Sequence, residues 1–294
     1  MPMLAAYAAW QDWDGIFLFD YHSSVENWDA NKITSFFASS SDPNKMATMP
    51  AASLIFLGNL IEPVARKSTL VVPRGAITEA MARNTLSQFW DSNLGRLWSQ
   101  NGGTRRDWLQ SKMAVRFVEG TAPLSLERQF LPSSNAFTWQ TDAPESSLLT
   151  INSEKTKGVI GFLGGQWIDL DGLVVQMEKT PRNFVTLTLT PRDGKPIAKS
   201  NSLLLTVLSS VENKDMQWNE TRTSVGTNWG SGPTMAEAVP AQIIVRTNAK
   251  KATVWALDGS GKRTQTVPSQ IVNGQLRFRI VPQSQTLWHE IETR

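Results

Sequence analysis

From about residue 113 to the C-terminus, short apolar runs alternate with two-residue turn signals. No other feature constrains the fold of this chain as tightly. Val159 to Leu163 leads into Gly164-Gly165, Trp167-Ile168 into Asp171-Gly172, and Leu173 to Met177 follows. Phe184 to Thr190 alternates valine and threonine before Asp193-Gly194, and Leu203 to Leu208 comes next. Ile243 to Val245, Thr253 to Leu257, Leu276 to Ile280 and Thr286 to Ile291 complete the set, with Asp258-Gly259 and Asn273-Gly274 between them. Asp-Gly, Asn-Gly and Gly-Gly pairs supply the positive φ that tight hairpins need. Strands at this spacing predict an antiparallel β-sandwich over 113–294.

The N-terminal part follows another grammar. Leu4, Ala5, Ala8, Ala9 and Trp13 fall on one helical face, so Met3 to Trp13 is predicted helical. After Asp14-Gly15, the unalternated run Ile16-Phe17-Leu18-Phe19 has the pattern of a strand buried on both faces of a parallel sheet. Asp42-Pro43 opens a second helix, with Met46, Met49, Ala52, Leu54, Ile55 and Leu57 as its expected buried face. One such strand cannot form a sheet, so the expectation is an incomplete α/β segment over 1–62. Its unpaired edges predict a homo-oligomer joined through Ile16, Phe17, Leu18 and Phe19. Residues 63–112 read as a connection: a β-rich run at Ser68 to Val72, a helix over 76–90 and a polar loop over 91–110. The expected fold class is therefore mainly β, an antiparallel sandwich preceded by an incomplete α/β segment.

Composition narrows the function classes. The content is 40% hydrophobic and 19% charged, which suits a folded chain. The net charge of +3 arises from 29 basic and 26 acidic residues without a basic tract, so nucleic acid is not an expected partner. The absence of cysteine removes disulfides, thiolate catalysis and cysteine zinc sites. No apolar run approaches the roughly 20 residues of a membrane helix, and no signal-peptide pattern opens the chain. Twelve tryptophans stand against two tyrosines, and indoles make good platforms for sugar faces.

Several stretches resemble a known family. "AAWQDWDGIFLFDY" is similar to the seventh helix and eighth strand of a bacterial clan-A-type glycoside hydrolase barrel, and "DPNKMATMPAASLIFLGN" to its last helix. "SEKTKGVIGFLGG", "LTLTPRDGKPIAKSNSLLLTVLSSVEN", "WGSGPTMAEAVPAQI" and "ATVWALDGSGKRT" resemble the accessory β-sandwich of such enzymes. The resemblance implies the last strand and helices of a (β/α)8, or TIM, barrel followed by a sandwich, with an oligosaccharide or polysaccharide as partner and no cofactor. For a full-length parent it implies an extracellular or periplasmic location. The two catalytic carboxylates of such hydrolases sit at the ends of the fourth and seventh strands, neither of which is in this chain, so no residue inherits that role. The alternative is a non-catalytic carbohydrate-binding or scaffolding module.

Candidate site residues fall in two places. Asp20, Glu26 and Asp29 follow the barrel-like run and are the weak catalytic candidates, beside Tyr21, His22 and Trp28 as sugar contacts. With only His289 elsewhere, His22 has no metal cluster to join, and a local hydrogen bond is its expected role. The polar stretch 214–237 carries Trp218, Asn219, Asn228 and Trp229, a mixture suited to stacking on sugars and bonding their hydroxyls. It suits equally an Ω-like loop pinned by its own tryptophans. "DLDGLVVQMEK" misplaces the glycine of a calcium loop and is predicted to be a hairpin turn; "DGSGKRT" lacks the phosphate-loop pattern. Asn219-Glu220-Thr221 fits the short glycosylation pattern.

Overall fold

Helix α1 (Pro2–Gln11) buries Ala5, Ala8, Ala9 and Trp10, while Trp13 lies beyond its end and is exposed. The computed structural model describes residues 1–22, 31–82, 94–132, 136–140, 143 and 146–294. Helix α2 (Pro43–Leu57) begins where Asp42-Pro43 predicts: the Asp42 carboxylate accepts from the N–H groups of Asn44 at 2.9 Å and Lys45 at 3.2 Å, filling donors the helix cannot satisfy itself. Its buried face is smaller than expected, made of Ala47, Thr48, Ala51, Ala52 and Ile55, whereas Met46 and Leu57 are exposed.

The chain divides into two compact units, Ala9–Asp14 with Glu62–Asn135, and Met1–Ala8 with Gly15–Ile61 and Ala136–Arg294. In the first, β1 (Lys67–Pro73) is followed by helices α3 (Arg74–Ala82), α4 (Leu94–Gln100) and α5 (Arg105–Gln110), then by strands β2 (Lys112–Val118) and β3 (Ser125–Gln129). Strand β1 is central, parallel to β2 and antiparallel to β3. The sandwich expected from residue 113 thus starts later, because residues 112–129 pair with β1. Residues 91–110, expected as loop, hold α4 and α5 among those described. Asp107 explains why: it accepts from the Thr104 N–H at 2.7 Å, the Trp98 indole at 3.0 Å and Arg128 at 3.0 Å. Leu70, Val72 and Trp98 form this unit's core.

The second unit is the sandwich. Its strands are β4 (Phe137–Gln140), β5 (Leu148–Asn152), β6 (Lys157–Phe162), β7 (Trp167–Asp169), β8 (Leu173–Met177), β9 (Phe184–Pro191), β10 (Ser202–Leu208), β11 (Val211–Lys214), β12 (Ser231–Ala236), β13 (Ala241–Arg246), β14 (Ala252–Leu257), β15 (Arg263–Val267), β16 (Ser269–Val272), β17 (Gln275–Ile280) and β18 (Trp288–Thr293). One sheet runs β15-β14-β18-β10-β9-β6-β5-β4 and the other β16-β17-β13-β8-β7, all antiparallel; β11 and β12 form a separate ribbon. The fold is mainly β, as expected. The predicted hairpins at Asp171-Gly172 and Asn273-Gly274 form with positive φ throughout, 51° and 111° in the first, 51° and 72° in the second. Between the sheets lies one apolar core, including Leu173, Val175, Leu187, Leu189, Leu205, Ile243, Phe278 and Ile291. The opposite face of the larger sheet is rich in threonine at 186, 188 and 190, and α2 covers β9 and β10 there; small alanines allow the close approach. The Trp288 indole donates to the Ala47 carbonyl across this contact at 2.6 Å.

The expected buried strand at Ile16–Phe19 is not formed. These residues belong to no sheet among the described residues, Phe17 is 97% exposed and Phe19 79%. An unalternated apolar run signals burial only where neighbours arrive on both faces, and among the described residues no strand pairs with this one. The backbone of 20–21 instead meets residues 37–40: Ser39 N–H donates to the carbonyls of Asp20 and Tyr21, and Ser40 N–H to that of Tyr21 at 2.9 Å.

Candidate functional site

Two stretches separated by about 200 residues in sequence meet around one buried amide. Asn213, on β11, donates to the carbonyls of Ile33 and Trp229, each at 2.8 Å, and its oxygen accepts from the Ile33 N–H at 2.8 Å and the Thr234 hydroxyl at 2.7 Å. One side chain thereby satisfies both backbone groups of Ile33, as a neighbouring strand would. Thr234 N–H adds a bond to the Asn31 carbonyl at 3.0 Å. The two stretches touch at Gly232, where a Cβ would stand 2.0 Å from the Asn31 side chain and force it to shift. The polar stretch 214–237 is thus fastened to residues 31–34.

The fastening brings aromatic rings together. Phe36 packs on Trp229 with centroids 4.6 Å apart, and Phe37 meets Phe19 edge-on at 5.6 Å. Phe36 and Phe37 are 61% and 60% exposed, so these rings face solvent and not a core. Lys45 holds the turn beneath them, donating to the carbonyls of Phe36 at 2.7 Å and of Phe37 and Ala38 at 3.3 Å.

The residues singled out in the sequence divide as follows. Tyr21 is exposed, Asp20 and His22 are half-buried, and His22 Nδ1 lies 2.8 Å from the Ser40 hydroxyl. Glu26, Trp28 and Asp29 fall outside the described residues. Trp229 belongs to the aromatic surface. Trp218 does not: the Arg222 guanidinium stacks 5.0 Å from its ring, and its indole nitrogen is buried. Asn219 organises its own turn, accepting from Thr223 N–H at 2.8 Å and donating to the Thr223 hydroxyl at 3.0 Å. Asn228 is exposed beside Trp229. Sequence reasoning missed Phe36, Phe37 and Asn213; the signal available was the pair Phe36-Phe37 inside the serine-rich "ITSFFASSSDP".

Chemically, the Phe19, Phe36 and Phe37 rings beside Trp229 offer flat apolar faces, which suit the C–H face of a sugar. Among the described residues no group of three or more His, Asp or Glu could hold a metal ion. No protein-family model, curated protein or solved structure matches this chain.

Proposed function

We propose that the protein is carbohydrate-active, akin to the C-terminal portion of the glycoside hydrolases its sequence resembles, and that this chain binds oligosaccharide or polysaccharide on the surface formed by Phe19, Phe36, Phe37 and Trp229. The observation carrying this reading is the exposure of Phe36 and Phe37 on a backbone whose carbonyls Lys45 bonds. Exposed rings on an anchored backbone bind at little ordering cost. The reading is one of binding because what carries it is a set of exposed rings, whereas glycoside hydrolysis needs two carboxylates roughly 5 to 9.5 Å apart flanking the bond.

Affinity electrophoresis in gels containing soluble polysaccharides tests it. The double variant Phe36→Ala with Trp229→Ala should lose tenfold or more in affinity, at about 1 kcal/mol per ring. Trp218→Ala, whose ring meets the Arg222 guanidinium and not the phenyl rings, should bind as the parent does. Equal retardation of parent and double variant overturns the reading, and steady hydrolysis of chromogenic glycosides overturns its restriction to binding.

The same rings favour a second reading, self-association, because Phe17 is 97% exposed beside them. Light scattering distinguishes it: a dimer dispersed by Phe17→Glu supports a homo-oligomer through Ile16–Phe19, and a monodisperse monomer excludes it.

A further inference from the structure

The pleat of the smaller sheet sends Leu173, Val175 and Met177, Ala241, Ile243 and Val245, and Leu276, Phe278 and Ile280 into the core. Their neighbours must occupy the opposite face. Pairing aligns these neighbours in two cross-strand rows: Trp167, Gln176, Gln242 and Arg279 in one, and Asp169, Val174, Ile244, Arg277 and Gln270 in the other. Three strand spacings put the ends of the first row about 14 Å apart. Helix α2 covers the outer face of the larger sheet, whereas this face is open: Trp167 is 67% exposed, and Gln176, Gln242, Gln270, Arg277 and Arg279 are all exposed.

Over β13, β16 and β17 the face is hollowed by a depression of about 450 Å³ whose lining includes Gln242, Ile244, Gln270, Arg277 and Arg279 and no carboxylate. Arg279 is paired with Glu178 outside the hollow. Arg277 donates to the Gln275 amide oxygen at 2.7 Å and has no carboxylate partner among the described residues. The Arg277 guanidinium, with no carboxylate among the residues lining the hollow and Arg279 already held by Glu178, suits a ligand carboxylate, which arginine bonds in bidentate fashion. Glutamine amides donate and accept together, as paired sugar hydroxyls require. A single indole at the far end gives one stacking platform, with too little apolar area around it for the core of a protein interface.

We propose that this face is a second carbohydrate site, separate from the aromatic surface, which takes a uronate-bearing polysaccharide strand. Arg277 pairs with a sugar carboxylate in the hollow, Gln176 and Gln242 bond hydroxyls along the row, and Trp167 stacks on a sugar about 16 Å away, three strand spacings across and two residues along. The proposal rests on the carbohydrate reading above and adds a location and an acidic substrate class.

The test is affinity electrophoresis of the full chain in polygalacturonate, in neutral hydroxyethylcellulose and with double-stranded DNA, backed by calorimetry with hexagalacturonate. Polygalacturonate should retard the chain most. Arg277→Gln and Trp167→Ala should each weaken hexagalacturonate binding about tenfold. Arg277→Lys, which keeps the charge without the fork, should recover only part of the loss. Both parent side chains are exposed, so the variants should melt with the parent. Retention lost in the Phe36→Ala/Trp229→Ala variant but kept in Arg277→Gln overturns this site and leaves the carbohydrate reading standing. Retention by no saccharide overturns both, and DNA binding equal to polygalacturonate binding shows a general polyanion contact and overturns the site.

Discussion

His289 sits where a sandwich core would ordinarily place an aliphatic side chain. It is fully buried on β18, opposite Leu205 and Ala256, which are themselves core residues. Among the described residues neither ring nitrogen has a hydrogen-bond partner, and burial pushes the imidazole pKa down to about 4. The unfolded chain protonates this group near 6.5, so its folded state is disfavoured as pH falls through the interval from 6.5 to 4 and is unaffected above it. At pH 5 the loss should reach about 2 kcal/mol, at 1.36 kcal/mol per unit. Urea unfolding at pH 7.5, 6 and 5 measures this in a range where most carboxylates stay ionised. His289→Leu should flatten the dependence; an equal slope in parent and variant removes His289 as its source. At the same scale, Trp218 and Trp229 are eleven positions apart in one polar stretch and look alike in sequence. Both are half-buried, and what separates them is the neighbour each meets, the Arg222 guanidinium for Trp218 and the exposed Phe36 ring for Trp229.

Elements show where local chemistry suffices. Asp42 and Pro43 mark the start of α2 because a side-chain oxygen and a fixed φ act within four residues. Asp42→Ala should cost about 1 kcal/mol of unfolding free energy by urea titration, and no measurable loss would mean the cap is redundant. Gly161 carries a sharper requirement: it has φ 140°, and a Cβ would lie 2.2 Å from the Ser147 carbonyl on the neighbouring chain segment. Gly161→Ala should destabilise by roughly 2 kcal/mol or more, since both backbone conformation and space resist it; an unshifted melting temperature would contradict that. The Asn273-Gly274 hairpin was legible for the reason that α2's cap was, a conformational preference confined to two residues. The Ile16–Phe19 run was not, because hydrophobicity reports what a residue would gain from cover and not whether cover arrives. Helices α4 and α5 hid behind Gly95, Gly102, Gly103 and Asn101, and what secures them is the long-range ion pair of Asp107 with Arg128. The bonds from Arg128, Thr104 and Trp98 outweigh burial and hold the Asp107 carboxyl below the usual carboxylate range. The meeting of Phe36 with Trp229 accompanies the bond of Ile33 to Asn213, 180 positions away, a pairing no local pattern announces.

The two units of the molecule differ in how much apolar surface they bury. The sandwich core extends from Val159 to Ile291, whereas the smaller unit gathers its core around Leu70, Val72 and Trp98. Opening free energy follows buried contact, so trypsin at low ratio should cut first within 62–135 and leave a resistant fragment beginning near Ala136. The N-terminal piece should nevertheless stay with it. Within the larger unit, α2 buries Ala47, Ala51, Ala52 and Ile55, Trp288 bonds the Ala47 carbonyl, the Ser153 hydroxyl donates to the Leu60 carbonyl at 2.7 Å, and Asn213 holds Ile33. A nick between 62 and 135 breaks none of these contacts. Gel filtration of the nicked protein should therefore give one peak containing both fragments, which separate when the column is run in urea. A first resistant fragment mapping to 62–135 would contradict the order of opening, and an N-terminal fragment eluting alone without denaturant would mean that α2 is not held by the sandwich with the strength its buried face implies.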